Sequence, residues 1–493
     1  MNKTTRSEYD SVRNFANKAF RSGCYAPYVS LYFNSVGNVL ACCKNDTFLL
    51  GNVGSESLKD IWNGGEIKRL RQTLAEYQFE AGCEFCEWQI GEGNYRPAFP
   101  TLFEEFPVDS LAPEWPAMIE FAGSNTCNFE CIMCYGELSS SIRAHRDGLP
   151  PLPRYYSDKF FEELREFLPH LKSAKFLGGE PFLASETFRI WDMMIEQGLA
   201  IPCHVTTNAS QYSDKVKQVL DSLPISFTVS IDGTTRETFE KIRMNSNFEE
   251  VFENLHRFHE YTRKTQTFFS IAFCLLRQNW HEFIDVLLLA ETLDCALFVN
   301  TVISPSYCSL YTLPANTMLQ IADEIENAGI IVEDKLVKNH HVWRNTIAAL
   351  RGKSEEGQAP HVEKIMGNYY KQRNHWTISW DLANCGQKKE ALEEIRKVKK
   401  GEPFYYQAVA YSAEIQREMG DWEGAERDLQ QAMKISARRP EAFLYMAKLR
   451  LDQNRLEEAL NNALQAEELV TQEDPLQAEV CDLIHSIKQV FPQ

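Results

Sequence analysis

The sequence predicts an α/β protein in three parts. A partial (β/α)6 barrel over 111–310 follows a small cysteine-rich α+β module over 1–110, and an all-α array over 371–493 follows a helical connection at 311–370. Three observations carry this prediction. Six short apolar runs alternate with amphipathic stretches between Met118 and Ser304, cysteine, glycine and aromatic residues crowd the first 110 positions, and small residues recur every 34 positions towards the C-terminus.

The size fits several domains, since 493 residues exceed one ordinary core, and 44% apolar residues with 12% aromatics suffice to fill more than one. A net charge of −18 repels a phosphate backbone and argues against a nucleic-acid partner. The opening MNKTTRSEYDSVRNFANKAF has no apolar core of a secretory signal. The longest apolar run, Phe283 to Val299, is broken by Asp285, Glu291 and Asp294, so no membrane span is expected and the cytoplasm is the expected compartment. Cytosolic thiols stay reduced, so the spacing of the fourteen cysteines points to metal rather than to disulfides.

In the first part, turn residues such as Gly37-Asn38 and Gly64-Gly65 punctuate the chain, and a proline-rich stretch from Pro100 to Pro116 leads into the next. The six apolar runs are MIEFAGSN, AKFLGGE, CHVTTN, SFTVSID, FFSIAFCLL and ALFVNTVIS, with helical patterns such as KFFEELREFLPHL between them. Strand and helix in alternation make βα units and a parallel sheet. Sites in such folds gather at the carboxyl ends of strands, where GGE, TTN and SID close the second, third and fourth runs.

In the last part Gly386, Gly420 and Asn454 are 34 residues apart, as are Ala391, Ala425 and Ala459, and Val398, Ala432 and Ala466. That period matches the helix–turn–helix of tetratricopeptide repeats, in which alanine lets helices approach closely; an unrelated helical bundle is the alternative. Three repeats are about the minimum for a stable stack, with the segment after Asp474 as a capping helix.

Cys127, Cys131 and Cys134 stand at C-x3-C-x2-C directly after the first barrel strand. Three thiolates on a short loop can hold three irons of a [4Fe–4S] cluster and leave the fourth open, whereas structural zinc would want a fourth protein ligand. The triplet resembles the motif of the radical S-adenosylmethionine (radical SAM) superfamily, with Met133 where an aromatic residue is usual. The resemblance implies that S-adenosylmethionine chelates the open iron and is cleaved by one electron to a 5′-deoxyadenosyl radical. It also makes Gly178, Gly179 and Glu180 the turn that receives the methionine amino group, and places Asn208, Ser230 and Asp232 at the ribose and the methionine carboxylate, with Arg243 pairing that carboxylate. Each of the polar four also reads as a strand-end turn or a cap.

A second set comprises Cys24, Gly37, Cys42, Cys83 and Cys86. Four cysteines in two groups suit zinc or an iron–sulfur cluster. The C-x12-G-x4-C spacing resembles the SPASM and shorter twitch modules, which implies a second, auxiliary [4Fe–4S] cluster; here the module precedes the barrel, where in most such proteins it follows. Cys43 reads as a neighbour of the ligands.

Cys203, Cys274 and Cys295 read as core residues, and Cys385 and Cys481 belong to the helical array. Cys308, after the last strand, is a candidate hydrogen-atom donor at the barrel mouth, with packing the simpler reading. Glu120 and His204 fall in barrel strands, where structural polar residues are the simpler reading. No catalytic base is assigned.

The resemblance implies a radical SAM enzyme of the maturase type that acts on a peptide or protein, recruits it or a partner enzyme through the repeats, and takes electrons from a flavodoxin or ferredoxin. The alternative is dehydrogenation or epimerisation of a small molecule such as a sugar or aminoglycoside-like metabolite.

Overall fold

The computed structural model describes every residue except 1–2, 46, 80–81, 92, 94, 148, 303–304, 306–307, 356–374, 377–378, 380–382, 384–387, 401–404, 438, 471–475 and 491–493. Two compact units emerge, one of Met1–Ser141 with Leu152–Ile365, the other of Ile142–Pro151 with Met366–Gln493.

The first unit is built on one nine-stranded sheet. Its six barrel strands are β4 (Met118–Phe121), β5 (Ser173–Phe176), β6 (Cys203–Thr207), β7 (Ile225–Ser230), β8 (Phe269–Leu275) and β9 (Ala296–Thr301), all parallel and paired in sequence order. They coincide with the six apolar runs. Helices Asp158–Phe167, Ser185–Glu196, Asp214–Ser222, Phe248–Thr265, Phe283–Thr292 and Ala315–Ile331 return the chain between and after them. Several begin on a polar cap: Ser157 accepts from the amide of Phe160, Ser213 from Val216 and Asn247 from Glu250, each satisfying an otherwise orphaned N–H. Helix Asp158–Phe167 buries Phe160, Phe161, Leu164 and Phe167, a single stripe at helical spacing.

Strand alternation decides which side chains meet those helices. On β5 Ala174 and Phe176 are buried while Ser173 and Lys175 are partly exposed, and on β6 Cys203, Val205 and Thr207 are buried while His204 and Thr206 are not. The buried set faces the helices and the other set the inside of the barrel.

The N-terminal region continues the same sheet. Strand β1 (Ser30–Phe33) runs parallel to β4 with Phe33 opposite Phe121, and antiparallel strands β2 (Asn38–Leu40) and β3 (Gly51–Asn52) extend it outward. The rings of Phe33 and Phe121 stack at 4.8 Å and those of Phe121 and Phe176 at 6.3 Å, carrying the core across β1, β4 and β5. The connection at 311–355 joins this core through Ile321, Ile325, Trp343 and Leu350.

In the second unit helices Tyr405–Glu418 and Trp422–Ile435 form one antiparallel-type pair in sequence, and Pro440–Asp452 and Leu456–Leu469 the next, with Lys388–Ile395 before and Gln477–Val490 after. The recurring small residues Ala391, Ala425, Ala432, Ala459 and Ala466 are all fully buried. Gly420 and Asn454, 34 residues apart, take left-handed φ of 82° and 59° in the turns between paired helices. Gly386 and Cys385 lie outside the described residues. Among the described residues no helix is long and apolar enough to cross a membrane.

Candidate functional site

The loop after β4 carries Cys127, Cys131 and Cys134, and the fold fixes it from three sides. Glu130 and Ile132 donate their amides to the carbonyls of Met244 and Ile242, each at 2.9 Å. Phe129 is buried as an anchor, and its carbonyl accepts from Ser139 Oγ at 2.7 Å. Ser141 Oγ donates to the carbonyl of Cys127 at 2.9 Å. Cys131 is buried and Cys127 and Cys134 are partly exposed, so the three thiols sit at the rim of the core rather than inside it.

Beneath this loop passes the Gly178-Gly179-Glu180 turn. Both glycines are left-handed, with φ of 79° and 50°. A Cβ at Gly179 would stand 2.4 Å from the carbonyl oxygen of Thr126, and one at Gly178 would stand 2.8 Å from Ala122 Cα, so only glycine fits. The amide of Glu180 donates to the same Thr126 oxygen at 2.7 Å. The Glu180 carboxylate is fully buried and accepts from the amide of Asn208 at 2.7 Å, Thr207 Oγ1 at 2.8 Å and the amide of Phe182 at 3.1 Å. Burial pushes its pKa up to about 7 against those bonds and the charge of Arg243.

Asn208 meets the cysteine loop directly: its Nδ2 lies 3.8 Å from Cys127 Sγ and 3.3 Å from Asn128 Oδ1. Ser230 ends β7, partly exposed on the inner face. Asp232 and Arg243 meet each other in the protein interior. Arg243 Nη2 is 2.7 Å from Asp232 Oδ2 in a buried pair, Asp232 Oδ1 accepts from the amide of Cys274 at 2.7 Å, and Arg243 Nη1 lies 3.9 Å from Cys131 Sγ. The guanidinium is thus held by one carboxylate and faces the cysteine loop.

Burial raises the Cys131 thiol to about 12, with Arg243 pulling the other way, and raises Cys127 as well. Cys308 is fully buried with Ile242 and Leu276, against Ile132, Met133 and Cys274, so it packs beneath the cysteine loop. Cys203 and Cys295 are core residues, Cys274 is partly exposed and Cys481 is exposed.

The second set converges as well. Cys24, Cys42, Cys83 and Cys86 line one cavity together with Ala26, Pro27, Leu70, Leu74, Phe79 and Phe99. They come from before β1, after β2 and the start of helix Glu84–Gly91, so the sheet and that helix bring them together. Asn45 Nδ2 donates to Cys83 Sγ at 3.3 Å and the amide of Ala26 to Cys24 Sγ at 3.4 Å, the N–H···S contacts that stabilise bound thiolate. Burial lifts Cys24 to about 11 and Cys83 to about 12, with Cys24 adding to the shift of Cys83 and the hydrogen bond from Asn45 opposing it. The four thiols line one small apolar cavity. Four cysteines around an apolar cavity suit a cubane cluster, whose irons each take one thiolate. Cys43 stands outside, beside Glu120.

Three site residues escaped the sequence reading. Lys175 pairs with Glu120 at 3.1 Å, Asn45 reaches Cys83, and Ser141 reaches Cys127. None sits in a motif, and only Ser141, close after the triplet, had a local signal.

Comparison with known proteins adds to this geometry. Residues 122–290 match the Radical SAM superfamily, and residues 24–87 match the iron-sulfur cluster-binding domain called SPASM, bracketing all four cavity cysteines. No curated protein is similar enough to count as a relative. Similar solved structures include Streptococcus suis SuiB bound to the precursor peptide SuiA, at 12% identity and TM-score 0.33 over 57% of this chain and 64% of that one. anSMEcpe with bound AdoMet and Cp18Cys peptide is 17% identical, TM-score 0.32, over 44% of this chain and 61% of that one. The Yersinia enterocolitica type III secretion translocator chaperone SycD is 14% identical, TM-score 0.22, over 24% of this chain and 92% of that one. The chain thus spans less than two thirds of SuiB and of anSMEcpe. With a cysteine loop held over a glycine turn and a four-cysteine cavity beside it, residues 122–290 are a radical SAM domain and residues 24–87 an iron–sulfur cluster-binding domain, whose cofactors are S-adenosylmethionine and [4Fe–4S] clusters.

Proposed function

We propose that the protein is a maturase-type radical SAM enzyme that takes a hydrogen atom from a peptide or protein. The observation that carries this reading is the continuity of the sheet: β1 pairs with β4, so the four-cysteine cavity and the cysteine loop are built on adjoining strands of one unit. A SPASM-like module is typical of the peptide maturases that the sequence resembles, although here it precedes the barrel.

When bound, the cofactors supply one electron and a 5′-deoxyadenosyl radical that abstracts hydrogen. The chain's own part is positional. Cys127, Cys131 and Cys134 are the three iron ligands; Gly178 and Gly179 let backbone approach the bound methionine; Asn208 and Ser230 are placed to meet the rest of the cofactor; Cys24, Cys42, Cys83 and Cys86 hold the second cluster. Asp232 and Arg243, a buried pair facing the loop of Cys131, are the further candidates that the resemblance implies for the ribose and the methionine carboxylate.

In this reading the C-terminal helices are tetratricopeptide repeats that recruit the substrate or a partner enzyme; the buried alanines and the left-handed turns at Gly420 and Asn454 support it. A flavodoxin or ferredoxin supplies electrons, and the cytoplasm is the compartment in which cysteines stay reduced. The test is anaerobic incubation of reduced, reconstituted protein with S-adenosylmethionine, with and without candidate peptides, reading 5′-deoxyadenosine and peptide mass. Cofactor cleavage that no peptide accelerates or consumes, and that a sugar does, would move the substrate to the small-molecule class.

A further inference from the structure

The chain leaves the first unit soon after the cysteine loop. Residues Ile142–Pro151 belong with the helical array, and Leu152 returns to the first unit. Just before this excursion stand three consecutive serines, and all three grip the loop that carries the triplet. Ser139 Oγ donates to the carbonyl of Phe129 at 2.7 Å, and Ser140 Oγ accepts from the amide of Cys127 and donates to its carbonyl, each at 3.2 Å. Ser141 Oγ donates to the same carbonyl at 2.9 Å. One residue later the chain is part of the other unit.

The excursion is a closed loop and not a slack one. Ile142–Arg146 form a single π-helical turn, a form that is rare and recurs at functional places. The amide of Asp147 donates to the carbonyl of Ile142 at 2.9 Å, and that of Leu149 to the carbonyl of Arg143 at 2.8 Å. Arg143 Nε donates to the carbonyl of Pro150 at 2.6 Å, and Ile142 and Arg143 are both buried. A segment so short and so closely bonded passes a displacement from one end to the other.

Within the array Arg439 holds this segment. It stands just before helix Pro440–Asp452 and is 9% exposed. Its guanidinium lies 4.3 Å over the ring of the buried Tyr406, and Nη2 meets Glu441 Oε1 at 2.5 Å. Nη1 is turned instead to Asp147, 4.0 Å from Oδ1, and makes no hydrogen bond of its own. A guanidinium taken out of water is costly unless carboxylates meet its charge, so the array gains from keeping Asp147 where it is.

We propose that Arg439 is a positioning residue for the cysteine triplet. By fixing Asp147 it anchors the excursion, the excursion keeps the three serines in place, and the serines hold the backbone of Cys127 and Phe129. Whatever loosens Arg439 then loosens the loop on which the cluster is built, and by reciprocity cofactor binding tightens the excursion on the array. This rests on the assignment of the triplet to cluster and S-adenosylmethionine binding. It gives a part in cofactor binding to a residue outside every cofactor motif.

The test uses full-length protein and two readouts. Hydrogen exchange of the amides from Cys127 to Cys134 is measured in the apoprotein, and S-adenosylmethionine affinity by equilibrium dialysis after anaerobic reconstitution. Arg439→Gln is expected to speed exchange in the loop and to weaken cofactor binding about fivefold or more, the lower end of the range for coupled sites. Asp147→Asn is expected to do the same, and the double variant to go no further than either single one, because both act through one contact. Arg417→Gln is the control: it breaks ion pairs with Glu414 and Asp452 in the same array and is expected to leave both readouts unchanged. An effect of Arg417→Gln equal to that of Arg439→Gln overturns the proposal, since any loosening of the array would then serve. Additive effects of Arg439→Gln and Asp147→Asn overturn it too, as does exchange at the parental rate in both, or faster exchange with unchanged affinity. A parent that fails to bind S-adenosylmethionine removes the cofactor reading alone, because exchange in the apoprotein still decides whether Arg439 holds the loop.

Discussion

Arg243 and Asp232 are each other's partner, 2.7 Å apart in the protein interior, and the free edge of the guanidinium lies 3.9 Å from the sulfur of Cys131. The two residues thus work as one unit. The carboxylate holds the cation, and the cation faces a thiol that becomes an anion when metal binds. The same segment receives the amides of Glu130 and Ile132, so pairing, backbone and sulfur contact all act on one loop.

Removing one half of this pair leaves the other charge buried. Arg243→Gln should lower the stability of the apoprotein by about 3–5 kcal/mol, and Arg243→Met with Asp232→Leu should recover most of that loss. The double variant should still bind iron more weakly at the triplet, because the N–H facing Cys131 is gone. Denaturant midpoints and iron content measure the two effects separately. A single variant as stable as the parent would show that the pair is a surface-like contact of little worth.

Glu180 titrates near neutrality in the fold, at about 7, above an ordinary value of 4.5. Below pH 4.5 the carboxyl is neutral in both folded and unfolded chains. Between 4.5 and 7 the unfolded chain releases its proton first, so stability falls as pH rises through this window and the loss is complete above it. The difference amounts to about 3 kcal/mol. Glu180→Gln should therefore flatten the apoprotein's stability between pH 5 and 8, read from unfolding curves at each pH; parallel curves for variant and parent would refute the assignment.

Gly179→Ala and Gly198→Ala separate conformation from contact. Both positions are left-handed, with φ of 50° and 66°, but a Cβ at Gly198 meets nothing within 4 Å while one at Gly179 strikes the Thr126 oxygen at 2.4 Å. The change at Gly198 should cost about 1 kcal/mol, the ordinary strain of that conformation. The change at Gly179 should cost more and should also reduce S-adenosylmethionine binding, measured by calorimetry, because the turn is pushed off the cysteine loop. Equal effects at the two sites would mean that the close approach is unimportant.

The two cysteine sets should each account for half of the iron. Reconstituted protein is expected to carry about eight irons per chain, falling to about four when Cys83 and Cys86 become Ala, with the triplet's cluster still visible by electron paramagnetic resonance. Replacing Cys127, Cys131 and Cys134 together should abolish formation of 5′-deoxyadenosine. About four irons and one tightly bound zinc in the intact protein would make the N-terminal set a zinc site.

Local signals explain what could be read in advance. The six strands announce themselves by apolar runs, and the caps Ser157, Ser213 and Asn247 by residue type at the helix starts. The cysteines that line the cavity, and Asn208 beside Cys127, carry their chemistry in spacing and residue type. What escaped were relationships between distant positions. Nothing near Ser30–Phe33 says that it pairs with Met118–Phe121, because a strand's partner is chosen by tertiary packing. Nothing in the sequence says that Asp232 and Arg243, eleven positions apart, pair in the interior. Lys175 in AKFLGGE reads as a solvated strand residue, and only the register sets it beside Glu120.

The pairing of β1 with β4 also decides which strand forms this edge of the sheet. Without it β4 would be the first strand of the barrel, four buried residues long with its outer N–H and C=O groups unmet, a template for strands of another molecule. With it, the exposed margin passes outward to β3, which is only two residues long and includes a glycine, too short to seed such growth. The iron–sulfur region is therefore also an edge guard, and a barrel expressed without its first 110 residues should aggregate by strand addition even where every residue of its own cluster site is intact.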